Sequence, residues 1–124
     1  MSRLTIAVVG ASKDRRKFGN RAVRAYARQD WDVYPVNPHE ASIEGWRVYR
    51  SIDEIPIERL DRVSLYVPPE VGMQLVEGIA RRQPRELWLN PGAESQELIA
   101  RAQALGLDVV VACSIVDIGE SPAL

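Results

Sequence analysis

Lys13, Arg15, Arg16 and Lys17 fall inside five consecutive positions. They follow an apolar run, Leu4-Thr5-Ile6-Ala7-Val8-Val9-Gly10, and Ala11-Ser12, and they precede Phe18-Gly19-Asn20 at the start of a helical pattern. A strand–loop–helix unit of this kind aims free backbone N–H groups and the positive end of a helix dipole at one point in space. Four cations in the connecting loop suit a compact polyanion, and a phosphate-rich nucleotide fits that description. The whole-chain charge of −1 hides this concentration. Residues 1–28 hold eight of the sixteen basic residues and a single acid, Asp14, so the remaining segment is acidic. Arg21, Arg24 and Arg28 continue the basic series along the helix, where they read as a solvated face.

Other chemistries find little support. The acidic remainder carries no basic stripe with interleaved aromatics, which argues against nucleic acid as a partner. One cysteine, Cys113, excludes an internal disulfide and fits a reducing cytoplasm, and one histidine, His39, with one cysteine makes a protein-built zinc site improbable. Apolar runs are too short to span a membrane, and the N-terminus lacks a secretory pattern. Ser12 has no histidine placed to activate it. Asp53-Glu54 and Glu94 read as acidic helix starts rather than paired catalytic carboxylates. Trp31, Trp46 and Trp88 read as packing residues, and Cys113 as a small buried apolar one. No set of nucleophile, base and orienting group emerges, which favours a binding or regulatory module over an enzyme.

Strand and helix patterns alternate along the 124 residues, a length that suits one domain over 1–124. Strands are predicted at Leu4–Val9, Asp32–Val36, Arg62–Val67, Glu86–Leu89 and Asp108–Ala112, with a short edge strand near 46–49. Helices are predicted at 20–29, at 70–83 with Val71, Leu75, Val76, Ile79 and Ala80 facing inward, and at 95–105. Ser51 and Glu54 have the spacing of a capping box for one brief turn. A polar tail follows the last strand. The expectation is an α/β Rossmann-like three-layer sandwich with a parallel sheet, in the order 3-2-1-4-5-6 or a close variant. Three strands leave through prolines, at Asn37-Pro38, Pro68-Pro69 and Asn90-Pro91-Gly92. With Gly10 they share the carboxyl edge of a parallel sheet, where ligands bind in open α/β folds.

A nicotinamide or flavin dinucleotide fits this edge poorly. Gly10 is followed by Ala11 and Ser12 and no glycine recurs before Gly19, so the G-x-G-x-x-G spacing is missing. The second strand ends Val36-Asn37-Pro38-His39, without the acid that takes a ribose diol. The ATP-binding G-x-x-x-x-G-K-[ST] loop is absent too.

Val8-Val9-Gly10-Ala11-Ser12 with its basic loop, Tyr34-Pro35-Val36-Asn37-Pro38, Ile43-Glu44-Gly45 with Tyr49-Arg50-Ser51-Ile52-Asp53-Glu54-Ile55-Pro56, Tyr66-Val67-Pro68-Pro69 and Leu87-Trp88-Leu89-Asn90-Pro91-Gly92 occur in that order. Together they resemble the stand-alone CoA-binding domain proteins, whose Rossmann-like fold is shared with the nucleotide-binding domain of the succinyl-CoA synthetase α subunit. The resemblance runs over nearly the whole chain and implies coenzyme A or an acyl-CoA as ligand. It implies that Gly10, Ala11 and Ser12 surround the phosphates, with Lys13, Arg15, Arg16, Lys17 and Asn20 on the same loop. Asn37, Pro38 and His39 would border the ribose, which in CoA carries a 3′-phosphate, in keeping with the missing acid. Val67, Pro68 and Pro69, and then Asn90, Pro91 and Gly92, would complete the rim. The chain departs from the family at His39, where lysine is frequent, at Asn90, where glutamine is commoner, and at Ala112-Cys113-Ser114, where Asp-Arg-Cys is usual. The synthetase's phosphorylated histidine belongs to a second domain, so His39 is expected at most as a rim contact. The alternatives are an NAD(P)-binding reductase or a subunit of an acyl-CoA ligase. A thiol contact between Cys113 and the pantetheine end is a further option, and no protein partner is indicated.

Overall fold

The computed structural model describes residues 3–123. Five parallel strands form one sheet in the order β2-β1-β5-β6-β7. β1 (Thr5–Val9) lies second from one edge, with β2 (Asp32–Val36) outside it and β5 (Arg62–Leu65), β6 (Glu86–Leu89) and β7 (Val109–Val111) following on the other side. Strands covered on both faces need apolar side chains in both directions, as β1 has. Its Ala7 and Val9 pack with Leu65, Val76, Ile79 and Leu98 under α2 (Pro69–Arg81) and α3 (Gln96–Ala104). Its Ile6 and Val8 pack with Val23, Tyr26 and Ile115 under α1 (Phe18–Arg28) and α4 (Ser114–Asp117). The expected α/β/α sandwich with a parallel sheet is therefore present.

The strand anticipated outside β2 shrinks to one residue. β3 (Ser42–Ile43) and β4 (Trp46–Arg47) pair only with each other, as an antiparallel hairpin. Tyr49 alone bridges the outer edge of β2, donating from its N–H to the Pro35 carbonyl at 2.9 Å and accepting from Asn37 N–H at 3.0 Å. A residue in a parallel ladder turns its N–H and C=O to the same neighbour, so the donor that Pro35 lacks is one an outer strand would use.

Three other expectations need correcting. The tail after β7 is not wholly polar, for it holds the short helix α4 with Ile115 buried. Ser114 at the head of α4 donates its N–H to Asn90 Oδ1 at 2.9 Å and accepts the Tyr26 hydroxyl on its carbonyl at 2.8 Å. Arg21 donates to the Pro122 carbonyl at 2.7 Å and Arg28 pairs with Glu120 at 2.8 Å, so these two arginines hold the C-terminal segment against α1. On α2, Val76 and Ile79 are buried, whereas Val71 and Leu75 are exposed. At Ser51 no side-chain cap forms, and Ile52–Glu54 makes a single 3-10 turn. Ser95 does cap α3, its Oγ accepting from Leu98 N–H at 3.0 Å.

Candidate functional site

The connection after β1 turns to the face covered by α1, and the connection after β5 turns to the face covered by α2. Between these adjacent strands the chain directions diverge, which opens a crevice at the carboxyl edge of the sheet. Gly10 sits at its base with φ +89°, and a Cβ there would stand 2.7 Å from the Tyr66 carbonyl oxygen. Its N–H and that of Ala11 both donate to the Val36 carbonyl, tying the loop to the end of β2. Gly19 serves a different need. Any Cβ at that position would collide with the Gly10 carbonyl oxygen, so α1 starts hard against the exit of β1.

The helix begins without a side-chain cap at Lys17. Asn20 and Arg21 N–H groups turn back to the Lys17 carbonyl, and the N–H groups of Phe18 and Gly19 have no acceptor within the described residues. Two free donors at the positive end of an eleven-residue helix are the kind of arrangement at which anions bind.

The basic loop proves largely self-neutralised. Lys13 pairs with Glu40 at 3.3 Å, Arg15 with Glu44 at 2.8 Å, and Arg16 with Asp14 at 3.1 Å. The side-chain and then the backbone N–H donors of Arg16 hold the Asp14 carboxyl down at about 2. Of the four loop cations, Lys17 alone makes no ion pair among the described residues.

Two cavities flank the crevice and share Gly10, Asn37 and Val67, so they form one groove across the sheet edge. The larger, about 620 Å³, is lined by Gly10–Ser12, Arg16–Gly19, Tyr66–Pro68 and Pro91–Ala93. The smaller, about 380 Å³, is mainly apolar, with Val36, Pro38, Ile52, Val67, Val71, Leu75 and Ile79 in its walls and Arg50, Asp53, Gln74 and Arg81 among its polar groups. The sequence pointed to the first cavity. It missed most of the second, because Val71 and Leu75 have the spacing of core residues and Arg50 to Asp53 reach the rim only through the bridge at Tyr49.

The three candidate asparagines are structural in their side chains. Asn20 is buried, donates to the Ser12 carbonyl at 2.9 Å and accepts from Arg24 at 2.8 Å. Asn37 donates to the Ala11 carbonyl at 2.8 Å and accepts from the His39 backbone N–H at 2.7 Å, and His39 itself is exposed. Asn90 is buried and bridges Ser64 Oγ, the Leu65 carbonyl and Ser114 N–H. They shape the loops around the groove. Tyr66 reaches the same buried cluster, its hydroxyl 3.2 Å from Ser114 Oγ, and burial pushes its ionisation well above the usual phenol range. Pro69 and the side chains of Lys13, Arg15 and His39 do not line either cavity. No cluster of three or more metal-ligating side chains exists among the described residues, and no helix is long and apolar enough to cross a membrane.

Comparison with known proteins agrees with this geometry. The acetate–CoA ligase (ADP-forming) II subunit alpha of Pyrococcus furiosus is 39% identical over 74 residues, 58% of this chain and 16% of that subunit. The acetate–CoA ligase (ADP-forming) I of Archaeoglobus fulgidus is 28% identical over 85% of this chain and 17% of its own length. The chain thus spans about a sixth of the ligases it matches. A conserved hypothetical protein of Pyrococcus furiosus has a solved structure that superposes with a TM-score of 0.81 at 32% identity, covering 94% of this chain and 99% of that one. The model of the family described as the CoA binding domain matches residues 4–119, and the chain belongs to that family.

Proposed function

We propose that the groove at the carboxyl edge binds coenzyme A or an acyl-CoA as a non-catalytic binding or regulatory module. The uncapped start of α1 carries the reading. The free Phe18 and Gly19 N–H groups and the unpaired Lys17 ammonium converge on one cavity, and an apolar cleft opens beside it. The diphosphate lies over the Gly10–Ser12 loop and these donors. The adenine fills the cleft between Pro38, Ile52, Val67 and Leu75, and the pantetheine leaves past Phe18, Pro68 and Pro91. Apolar walls with a few placed polar groups are what a nucleotide base requires. Support for a non-catalytic role comes from the lining itself. Ser12 Oγ accepts from Asp14 N–H at 3.0 Å and donates to no base among the described residues, and the one histidine lines neither cavity.

A second reading, as the CoA-binding part of an acyl-CoA ligase, is favoured by the relatives' identity as acetate–CoA ligases. Thermal shift with CoA, acetyl-CoA, NADH and NADPH tests the first reading. A ligand at about a hundred times its Kd stabilises the fold by ~2.7 kcal/mol. CoA or acetyl-CoA is expected to raise the Tm, whereas a shift with NADH or NADPH alone would overturn the proposal. Turnover of CoA, acid and nucleotide by the chain would move the assignment to the ligase reading.

A further inference from the structure

Among the described residues, Lys17, Arg47, Arg50, Arg59 and Arg81 are the cationic side chains with neither an ion pair nor a hydrogen bond inside the protein. Arg47 lies over the Tyr49 ring. Three of the others are not scattered: Lys17 lines the phosphate cavity, and Arg50 and Arg81 line the apolar cleft. Their heights in the cleft differ. Arg50 follows Tyr49, whose backbone is bonded to Pro35 and Asn37 at the tip of β2, so it stands at the rim. Arg81 ends α2 and folds its guanidinium back beside Gly78, nine residues after Pro69, which at 1.5 Å per residue lies ~14 Å from the rim end of that helix.

The tip of β2 is where the ribose of a bound adenosine lies in folds of this type, and an acid there reads a free diol. Here that position holds Asn37, Pro38 and His39, and the next acid, Glu40, is occupied by Lys13. Among the described residues, Asp53 is the only carboxylate lining the cleft, and it makes no ion pair with Arg50. Arg50 is therefore free of any carboxylate partner, and its guanidinium offers a fork of donors to a phosphorylated ribose.

We propose that Arg50 recognises a phosphate carried on the ribose of the bound adenosine and so selects 3′-phosphorylated CoA over its dephosphorylated form. Which ribose phosphate is taken rests on the CoA reading above, because the 2′-phosphate of NADP offers the same chemistry. Arg50 acts by charge and hydrogen bonding at the rim, and Arg81, deep along the helix, does not share that contact.

Titration of the wild type, Arg50→Gln and Arg81→Gln with two ligand pairs, CoA against dephospho-CoA and NADP+ against NAD+, tests the assignment. Both arginines lack internal partners, so both variants are expected to fold. Wild type should bind CoA about tenfold or more tighter than dephospho-CoA. Arg50→Gln should bring the two within about twofold, and Arg81→Gln should keep the preference. Equal wild-type affinity for CoA and dephospho-CoA, or a preference that survives Arg50→Gln, overturns the inference while leaving CoA binding intact. A wild type that ignores CoA but prefers NADP+ to NAD+, with the preference lost in Arg50→Gln, overturns the CoA reading and upholds Arg50. Binding of neither pair overturns both.

Discussion

Gly19 stands so close to Gly10 that a Cβ on the former would run into the carbonyl oxygen of the latter. Helix propensity alone favours alanine over glycine by ~1 kcal/mol in a helix, so Gly19→Ala would stabilise an isolated α1. The collision is with backbone at the exit of β1, which cannot rotate away, and it reverses that sign. Gly19→Ala is expected to lower the Tm and to push the first turn of α1 off the phosphate seat, weakening CoA binding about tenfold or more. A variant as stable as the parent, with unchanged CoA affinity, would show that the close approach has no bearing on the site.

Lys13 and Lys17 look equivalent in the sequence and differ in their surroundings. Lys13 is highly exposed and already paired with Glu40, so Lys13→Gln gives up an exposed pair worth no more than ~1 kcal/mol. Lys17 has no partner among the described residues and lines the cavity that also holds the free Phe18 and Gly19 N–H groups. Lys17→Gln is expected to weaken CoA about tenfold and to flatten the salt dependence of binding, whereas Lys13→Gln stays within about twofold. Calorimetric titrations at two ionic strengths decide the matter, and equal losses for both variants would refute the distinction.

Asn90 holds the C-terminal turn in place. Its Nδ2 donates to Ser64 Oγ and the Leu65 carbonyl, both at 2.8 Å, and its Oδ1 accepts from Ser114 N–H at 2.9 Å. Asn90→Ala strands the Ser114 N–H in a buried setting, at a cost of ~1–3 kcal/mol for the orphaned donor. The expected result is a lower urea midpoint, with faster amide exchange at Ser114 and Ile115 than at β1. Uniform exchange across the chain would mean that the cluster does not anchor α4.

These cases explain which parts of the molecule could be read from the chain. The Leu4–Val9 run, the glycine that ends it and the proline-bearing strand exits are local signals, and they located the sheet, its layers and one cavity. The short α4 carries too few residues for a helical period, and its anchor, Asn90, lies 24 positions away. Glu40 and Glu44 neutralise Lys13 and Arg15 across 27 and 29 positions, a pairing that no local pattern reveals. Val71 and Leu75 follow the helical period of core residues, yet they face a groove, because an apolar wall for a ligand and an apolar wall for a neighbouring helix have one sequence signature.

Asp14 determines how much of the loop's charge a ligand meets. Its carboxyl is held at about 2, below an ordinary 3.8, first by the Arg16 side chain and then by the Arg16 backbone N–H. A carboxyl depressed in the folded state contributes stability above its ordinary value, and that contribution fades as the pH falls from about 4 through about 2. Across the neutral range Asp14 is therefore fully ionised and opposes the guanidinium of Arg16, which lines the larger cavity. Carboxyl NMR titration should place Asp14 near 2 in the parent and higher in Arg16→Gln, though still below 3.8 because the backbone donor remains. Asp14→Asn releases Arg16 to the ligand and is expected to tighten CoA binding at low salt by about threefold to tenfold. Weaker binding in Asp14→Asn would instead mean that the pair positions Arg16 for the phosphate, and that the ion pair serves the site rather than masking it.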